Sequence, residues 1–133
     1  MSEAGNVELV KRGYAAFNQG NVVALLDLFA PDIEWQWPSV AEIPHSGNRR
    51  GRNEVARCFE LLAADEEPVD FQQRDFISQG DHVVVIGSYK ARAKATQRTY
   101  ETDYVHVWAV RDGKLAKCQL VYDTETAANA YRR

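Results

Sequence analysis

Tyr104-Val105-His106-Val107-Trp108-Ala109-Val110-Arg111-Asp112-Gly113-Lys114-Leu115-Ala116-Lys117-Cys118-Gln119-Leu120-Val121-Tyr122 decides the fold. Two runs of alternating side chains flank Asp112-Gly113, the pattern of a long β-hairpin. A two-residue turn would pair Arg111 with Lys114 and set His106 opposite Gln119. A three-residue turn with Gly113 as a left-handed bulge would pair Val110 with Lys114, His106 with Cys118 and Trp108 with Ala116. The second register is preferred, because it gathers His106, Trp108, Val110, Cys118, Leu120 and Tyr122 on one face. Val105, Val107, Lys117, Gln119 and Val121 then form the other, a half-wet face suited to a dimer contact. A slip of one residue would exchange the two faces.

Upstream of the hairpin the period is also two, giving strands near 69–78 and 82–95, with the hairpin strands near 98–110 and 114–123 and turns at Gly80-Asp81 and Asp112-Gly113. The first third is helical instead. Val7, Val10, Tyr14 and Phe17 recur at three- and four-residue steps. Gly20 suits the left-handed position after that helix, and Asn21 can cap a second, short one carrying Val22, Leu25, Leu26 and Phe29. Pro31 is expected to stop it. Asp32 to Trp37 alternates, with Ile33, Trp35 and Trp37 on one face; residues 38–51 form a long loop that can act as a lid or a connector. A third helix is expected at about 53–64, burying Val55, Phe59 and Leu62, and a short last one begins at Thr124, whose hydroxyl can cap it. The order α-α-β-α-β-β-β-β with a helical tail predicts an α+β domain, helices packed on one face of a curved antiparallel sheet.

Composition narrows the function classes. The chain has 133 residues and a formal net charge of −3, so one domain over residues 1–133 is expected. No apolar run is long enough to span a bilayer, and the first six residues lack the basic head and apolar middle of a secretory signal, so a cytoplasmic protein with no membrane partner is expected. A sequence pI near 5.6 argues against nucleic acid. Cys58 and Cys118 are too few for a disulfide framework and lack metal-ligand spacing; His45, His82 and His106 show no ligand pattern either, so no metal is expected.

Several strings resemble the nuclear transport factor 2-like superfamily, in its SnoaL-like, ketosteroid-isomerase-related branch: Tyr14 to Asn21, Pro31 to Trp35, Gly51 to Val55, Gly80 to Gly87, His106 to Lys114 and Asp123-Thr124. The resemblance implies a cone-shaped barrel formed by a strongly curved, mostly antiparallel sheet, with three helices on its concave side and a deep pocket between. It also implies a homodimer through the outer sheet face. The family's reactions include aldol-type cyclisation, steroid isomerisation, epoxide hydrolysis and dehydration, and some members only bind, so function has to be argued from the site.

By that resemblance, His106 falls close to the inward carboxyl that ketosteroid isomerases use as an oxyanion donor. It is the candidate catalytic residue, for proton transfer or carbonyl polarisation. The plainer reading is a core histidine bonded to Tyr104 or Tyr122. Trp37 stands where the isomerases carry their aspartate base, and Leu120 where cyclases and epoxide hydrolases carry a carboxylate. Gly13 takes the place of the isomerase tyrosine on the first helix, leaving Tyr14 to core packing. Trp35, Trp37, Phe59, Trp108, Cys118, Leu120 and Tyr122 are expected to shape a substrate pocket. Cys118 opposite His106 could make a thiol–imidazole pair or act as a small hydrophobe, and His45 could close over a ligand or lie exposed. Asp123 is expected to face away from the pocket, near the last helix N-terminus. The expectation is a protein that binds a small apolar or aromatic molecule, as a cofactor-independent isomerase, cyclase or dehydratase of a carbonyl compound. The alternative is a non-catalytic ligand-binding or dimerisation module.

Overall fold

The computed structural model describes residues 2–133. The elements run α1 (Glu3–Asn18), α2 (Val22–Asp27), β1 (Phe29–Gln36), β2 (Arg49–Arg50), α3 (Arg52–Asp65), β3 (Glu66–Gln79), β4 (His82–Ala93), β5 (Thr99–Arg111), β6 (Lys114–Tyr122) and α4 (Thr124–Tyr131). Ser2 caps α1, its hydroxyl accepting from the Gly5 amide at 2.9 Å. Gly20 leaves α1 with φ 71° and Asn21 caps α2 through the Ala24 amide, as expected from those residue types.

Two expectations at helix ends need correction. Pro31 does not stop α2, which ends at Asp27; it lies inside β1. It is tolerated there because the β1–β6 pairing is irregular between Phe29 and Glu34, so no ladder bond is lost to the missing N–H. The cap of α4 is Asp123, whose carboxylate accepts from the Thr126 amide at 3.1 Å, rather than Thr124. An anion at that position also meets the positive end of the helix.

The six strands form one sheet in the order β2-β1-β6-β5-β4-β3. All neighbours are antiparallel except β1 and β6. The sheet is curled but not closed, with β2 and β3 as its edges. Register irregularities in β3, between Pro68 and Asp70 and between Gln73 and Asp75, accompany the bend. Gly87 on β4 permits a close approach nearby. A Cβ there would overlap the Gln72 carbonyl oxygen and the Tyr104 phenol, which are hydrogen bonded to each other at 2.7 Å.

The hairpin takes neither of the two expected pairings intact. Asp112 and Gly113 have φ 52° and 72°, a two-residue turn that pairs Arg111 with Lys114. Asp enters the left-handed region readily, and the twist of such a turn matches that of the strands. The bulge comes later, at Ala116: Val110 faces Leu115, whereas Ala109 faces Lys117. His106 therefore faces Leu120, not Cys118, and Trp108 faces Cys118, not Ala116. The displacement from the preferred register is two residues. Because side chains alternate with period two, the aromatic face survives the error.

The concave face and α1, α2 and α3 enclose the main core, with Val10, Phe29, Ile33, Val55, Val83, Val85 and Leu115 almost wholly buried. A smaller core lies under α4 and the 38–48 loop, around Ile43, Ala91, Ala93, Tyr100, Ala127 and Ala130. No helix among the described residues is long and apolar enough to cross a membrane.

Candidate functional site

A cavity of about 100 Å³ opens between the concave face and the helices. If one water needs roughly 10–15 Å³ on this measure, it has room for several. Its wall takes Gly13, Tyr14 and Phe17 from α1, Trp35 from β1, Trp37 just beyond it, and Phe59 and Leu62 from α3. Phe71, Tyr89, Tyr100, Thr102, Tyr104, His106, Trp108, Leu120 and Tyr122 come from the sheet. On β5 the even-numbered residues from Tyr100 to Trp108 all face inward, which is the strand's period of two made visible. Among the described residues, no carboxylate, amine or guanidinium lines the cavity.

Of the residues expected to shape a pocket, Trp35, Trp37, Phe59, Trp108, Leu120 and Tyr122 are on this wall. Trp35 meets Phe59 edge-on at 5.6 Å between ring centroids and Trp108 at 5.9 Å. Cys118 is fully buried behind the wall against Trp108 and does not line the cavity. The thiol–imidazole pair is thereby removed, since Cys118 and His106 are not cross-strand partners. Burial raises the pKa of Cys118 well above its usual value and pushes Cys58 up to about 11, so both are thiols at neutral pH.

His106 is half-buried and sandwiched. Its ring stacks on Tyr104 at 4.2 Å and lies 6.4 Å from Phe71. Its hydrogen bond goes to neither Tyr104 nor Tyr122. Tyr14 Oη is 2.7 Å from His106 Nδ1, and Trp108 Nε1 donates to the same Oη at 2.9 Å. These contacts decide the tautomer. The indole can only donate, so the phenol oxygen accepts from it; the phenol's own proton has no other acceptor among the described residues than Nδ1 and goes there. A neutral ring that accepts at Nδ1 carries its hydrogen on Nε2. Burial lowers the His106 pKa to about 3, so the ring is neutral at physiological pH. Burial likewise raises the pKa of Tyr14 well above 10, so its proton stays on the phenol. Tyr14 is thus the partner of His106, not only core packing.

A second polar cluster lies at the other end of the aromatic wall. Glu66, at the junction of α3 and β3, is 1% exposed. Its carboxylate accepts from Tyr89 at 2.6 Å, Tyr100 at 2.9 and 3.0 Å, and Tyr131 of α4 at 2.5 Å. His45 Nε2 is 3.7 Å away, and His45 Nδ1 bonds Asp65 at 2.7 Å. Burial first, and the Glu66 charge second, raise the pKa of all three phenols. His45 is neither exposed nor free to close over a ligand. It is 1% exposed and holds the 38–48 loop against α3.

A family model described as the SnoaL-like domain matches residues 10–118. The chain belongs to the SnoaL-like domain family. Among solved structures, it is similar to an NTF2-like protein from Burkholderia xenovorans LB400, with 33% identity over 99% of both chains and a TM-score of 0.91. It is also similar to TerC co-crystallized with polyporic acid, at 26% identity over 96% of this chain and 98% of that one, with a TM-score of 0.84. An uncharacterized protein of Mycobacterium tuberculosis strain H37Rv is 26% identical over 98% of each chain.

Within this SnoaL-like fold, Leu120 and Trp37 stand on the cavity wall at the positions where the resemblance led one to look for carboxylates. The buried carboxylate that is present, Glu66, sits behind tyrosines instead. Sequence reasoning missed it because it lies where a helix was expected to give way to a link. The available signal was weak: an acidic residue two places before Pro68, ahead of a β-rich run, with no periodicity of its own. Asp123 faces the last helix, as expected from its parity.

Proposed function

We propose that this protein binds a flat apolar or aromatic carbonyl compound in the cavity and promotes its isomerisation, cyclisation or dehydration without a cofactor, His106 donating through Nε2–H to the carbonyl oxygen. The Trp108–Tyr14–His106 hydrogen-bond relay carries this reading. It points a neutral donor along a wall that is otherwise aromatic, and such a donor is most effective where little water competes. The aromatic wall supplies area and ring-edge contacts for a flat ligand. The crystallisation of TerC with polyporic acid supports a small-molecule occupant of this fold.

The geometry favours polarisation over proton abstraction. With its pKa near 3, His106 is a poor base at neutral pH. Passing its Nε2 proton to the substrate would require Tyr14 to reprotonate Nδ1 and become a buried phenolate, which its raised pKa opposes. The relay therefore steadies charge developing on the carbonyl oxygen while the protons of His106 and Tyr14 stay in place, and the substrate's own C–H proton passes to a water in the cavity, which has room for several. Substrates whose hydrogen is already acidic, as beside an aromatic carbonyl, suit this arrangement.

The lack of any carboxylate on the wall also supports a second reading, ligand binding without turnover. One experiment separates the two. Tryptophan fluorescence titrated with xanthone, a flat aromatic ketone, reports binding through Trp35 and Trp108. His106→Phe should weaken it by about tenfold, the value of one buried hydrogen bond. With a turned-over substrate the same change should lower kcat roughly 10²-fold. Binding unaffected by His106→Phe would contradict the donor role.

We also infer a homodimer through the convex face. Ile77 and Val121 are about half exposed there, at 53% and 49%. Val84, Ile86, Val105 and Val107 join them across β3 to β6 in register. Burying such a stripe against a second copy would remove an apolar patch from water.

A further inference from the structure

Trp108–Tyr14–His106 has a counterpart on the same wall. Trp37 Nε1 donates to Tyr122 Oη at 2.9 Å, again an indole capping a phenol. In the first relay the phenol proton is spent on His106 Nδ1. In the second it has no acceptor among the described residues. Glu66, whose charge is felt at Tyr122, already receives Tyr89, Tyr100 and Tyr131, which occupy both of its oxygens.

Tyr122 is half-buried and lines the cavity. Tyr122 pairs directly with Tyr104 and His106 with Leu120. His106 and Tyr122 are therefore diagonal neighbours on one face, a relation that sets residues roughly 7–8 Å apart with their Cβ atoms somewhat closer. The ring of Tyr104 lies beside them, stacked on His106. The indole N–H takes up one lone pair of the Tyr122 oxygen and limits where its O–H can turn.

We propose that Tyr122 is a second hydrogen-bond donor to the ligand, so that the cavity selects flat compounds bearing two acceptor oxygens, of the dione or quinone class, over compounds bearing one carbonyl. This rests on the carbonyl-binding reading above and specifies its substrate class. One oxygen takes His106 Nε2–H and the other takes Tyr122 O–H, with the ring plane along the aromatic wall between them. Two donors and no facing carboxylate make the wall complementary to acceptors and unfavourable to anionic groups that lack a cation partner.

The test compares 9,10-anthraquinone with xanthone, in which one of the two carbonyls is replaced by a ring ether oxygen with little change in shape. Tryptophan fluorescence should show anthraquinone bound about tenfold more tightly, as one further hydrogen bond provides. Tyr122→Phe should weaken anthraquinone by about that factor more than it weakens xanthone, and so abolish the preference. A second measurement needs no variant: in the infrared spectrum of anthraquinone bound to the unaltered protein, the whole carbonyl absorption should move to lower frequency, with none left where the free compound absorbs. A preference that survives Tyr122→Phe, or carbonyl absorption left at the free frequency, would overturn the proposal while leaving the His106 reading intact. If neither compound binds the unaltered protein, the carbonyl-binding reading fails, and the proposal fails with it.

Discussion

Tyr14 Oη, on the first helix, lies 2.7 Å from His106 Nδ1 on the fifth strand, and this contact fixes which ring nitrogen of His106 carries hydrogen. A helix residue thus sets the chemistry of a strand residue 92 positions away. Trp108, two places along the same strand, donates to the same phenol oxygen, which leaves His106 Nδ1 as the partner that can take the phenol's own proton.

Removing the Tyr14 hydroxyl should therefore change His106 without touching it. In Tyr14→Phe, Nδ1 loses its donor and both neutral tautomers become populated. Affinity for an aromatic ketone such as xanthone should fall about threefold to tenfold, the range for one hydrogen bond of roughly 0.7–1.4 kcal/mol. Fluorescence titration measures this; an unchanged affinity would show that the tautomer is held by other contacts.

The low pKa of His106 carries a stability signature. Its folded pKa, near 3, lies below the ordinary histidine value of about 6.5. Between these values the unfolded chain takes up a proton that the folded chain refuses, so stability falls as pH drops from about 6.5 towards 3. Above 6.5 both states are neutral and the effect vanishes. Urea unfolding across this range should show a shallower decline in His106→Phe than in the unaltered protein.

Glu66 is expected to matter for folding more than for binding. Glu66→Ala leaves three phenols and His45 facing a hole, all of them buried or largely so. The loss should reach about 3 kcal/mol or more, as for other buried polar networks deprived of one member. Thermal or urea unfolding measures it, and a loss under 1 kcal/mol would mean that the phenols find other acceptors.

The convex apolar face makes an assembly prediction. Val121→Lys places a charge beside Val105 and Val107. Sedimentation velocity should show a dimer for the unaltered protein and a monomer for the variant, with the fold retained because Val121 is half exposed. A monomer in both cases would contradict the dimer.

The aromatic wall was legible because strand parity is robust. The true hairpin differs from the preferred one by two residues, and an even displacement returns each side chain to its own face. The positions of Trp35, Trp37, Trp108, Leu120 and Tyr122 on the wall were therefore recoverable from alternation alone. Tyr14 was not, because periodicity shows which side of a helix is buried but not which strand residue it meets. Glu66 and His45 were hidden for a different reason. Each lies at an irregular place, an element junction and a long loop, where no repeat reports burial. Alternation also assigned Cys118 to the correct face without revealing that it lies behind the cavity wall.

His106 as a neutral Nε2–H donor facing a carbonyl ligand has a direct spectroscopic signature. ¹⁵N-resolved NMR of the histidine rings between pH 5 and pH 8, with and without xanthone, reads it. His106 should show the Nε2–H tautomer throughout, should not titrate in this range, and should have its Nε2–H resonance moved by the ligand while His82 is unmoved. A His106 that titrates near pH 6.5, or that carries its hydrogen on Nδ1, would contradict the donor role.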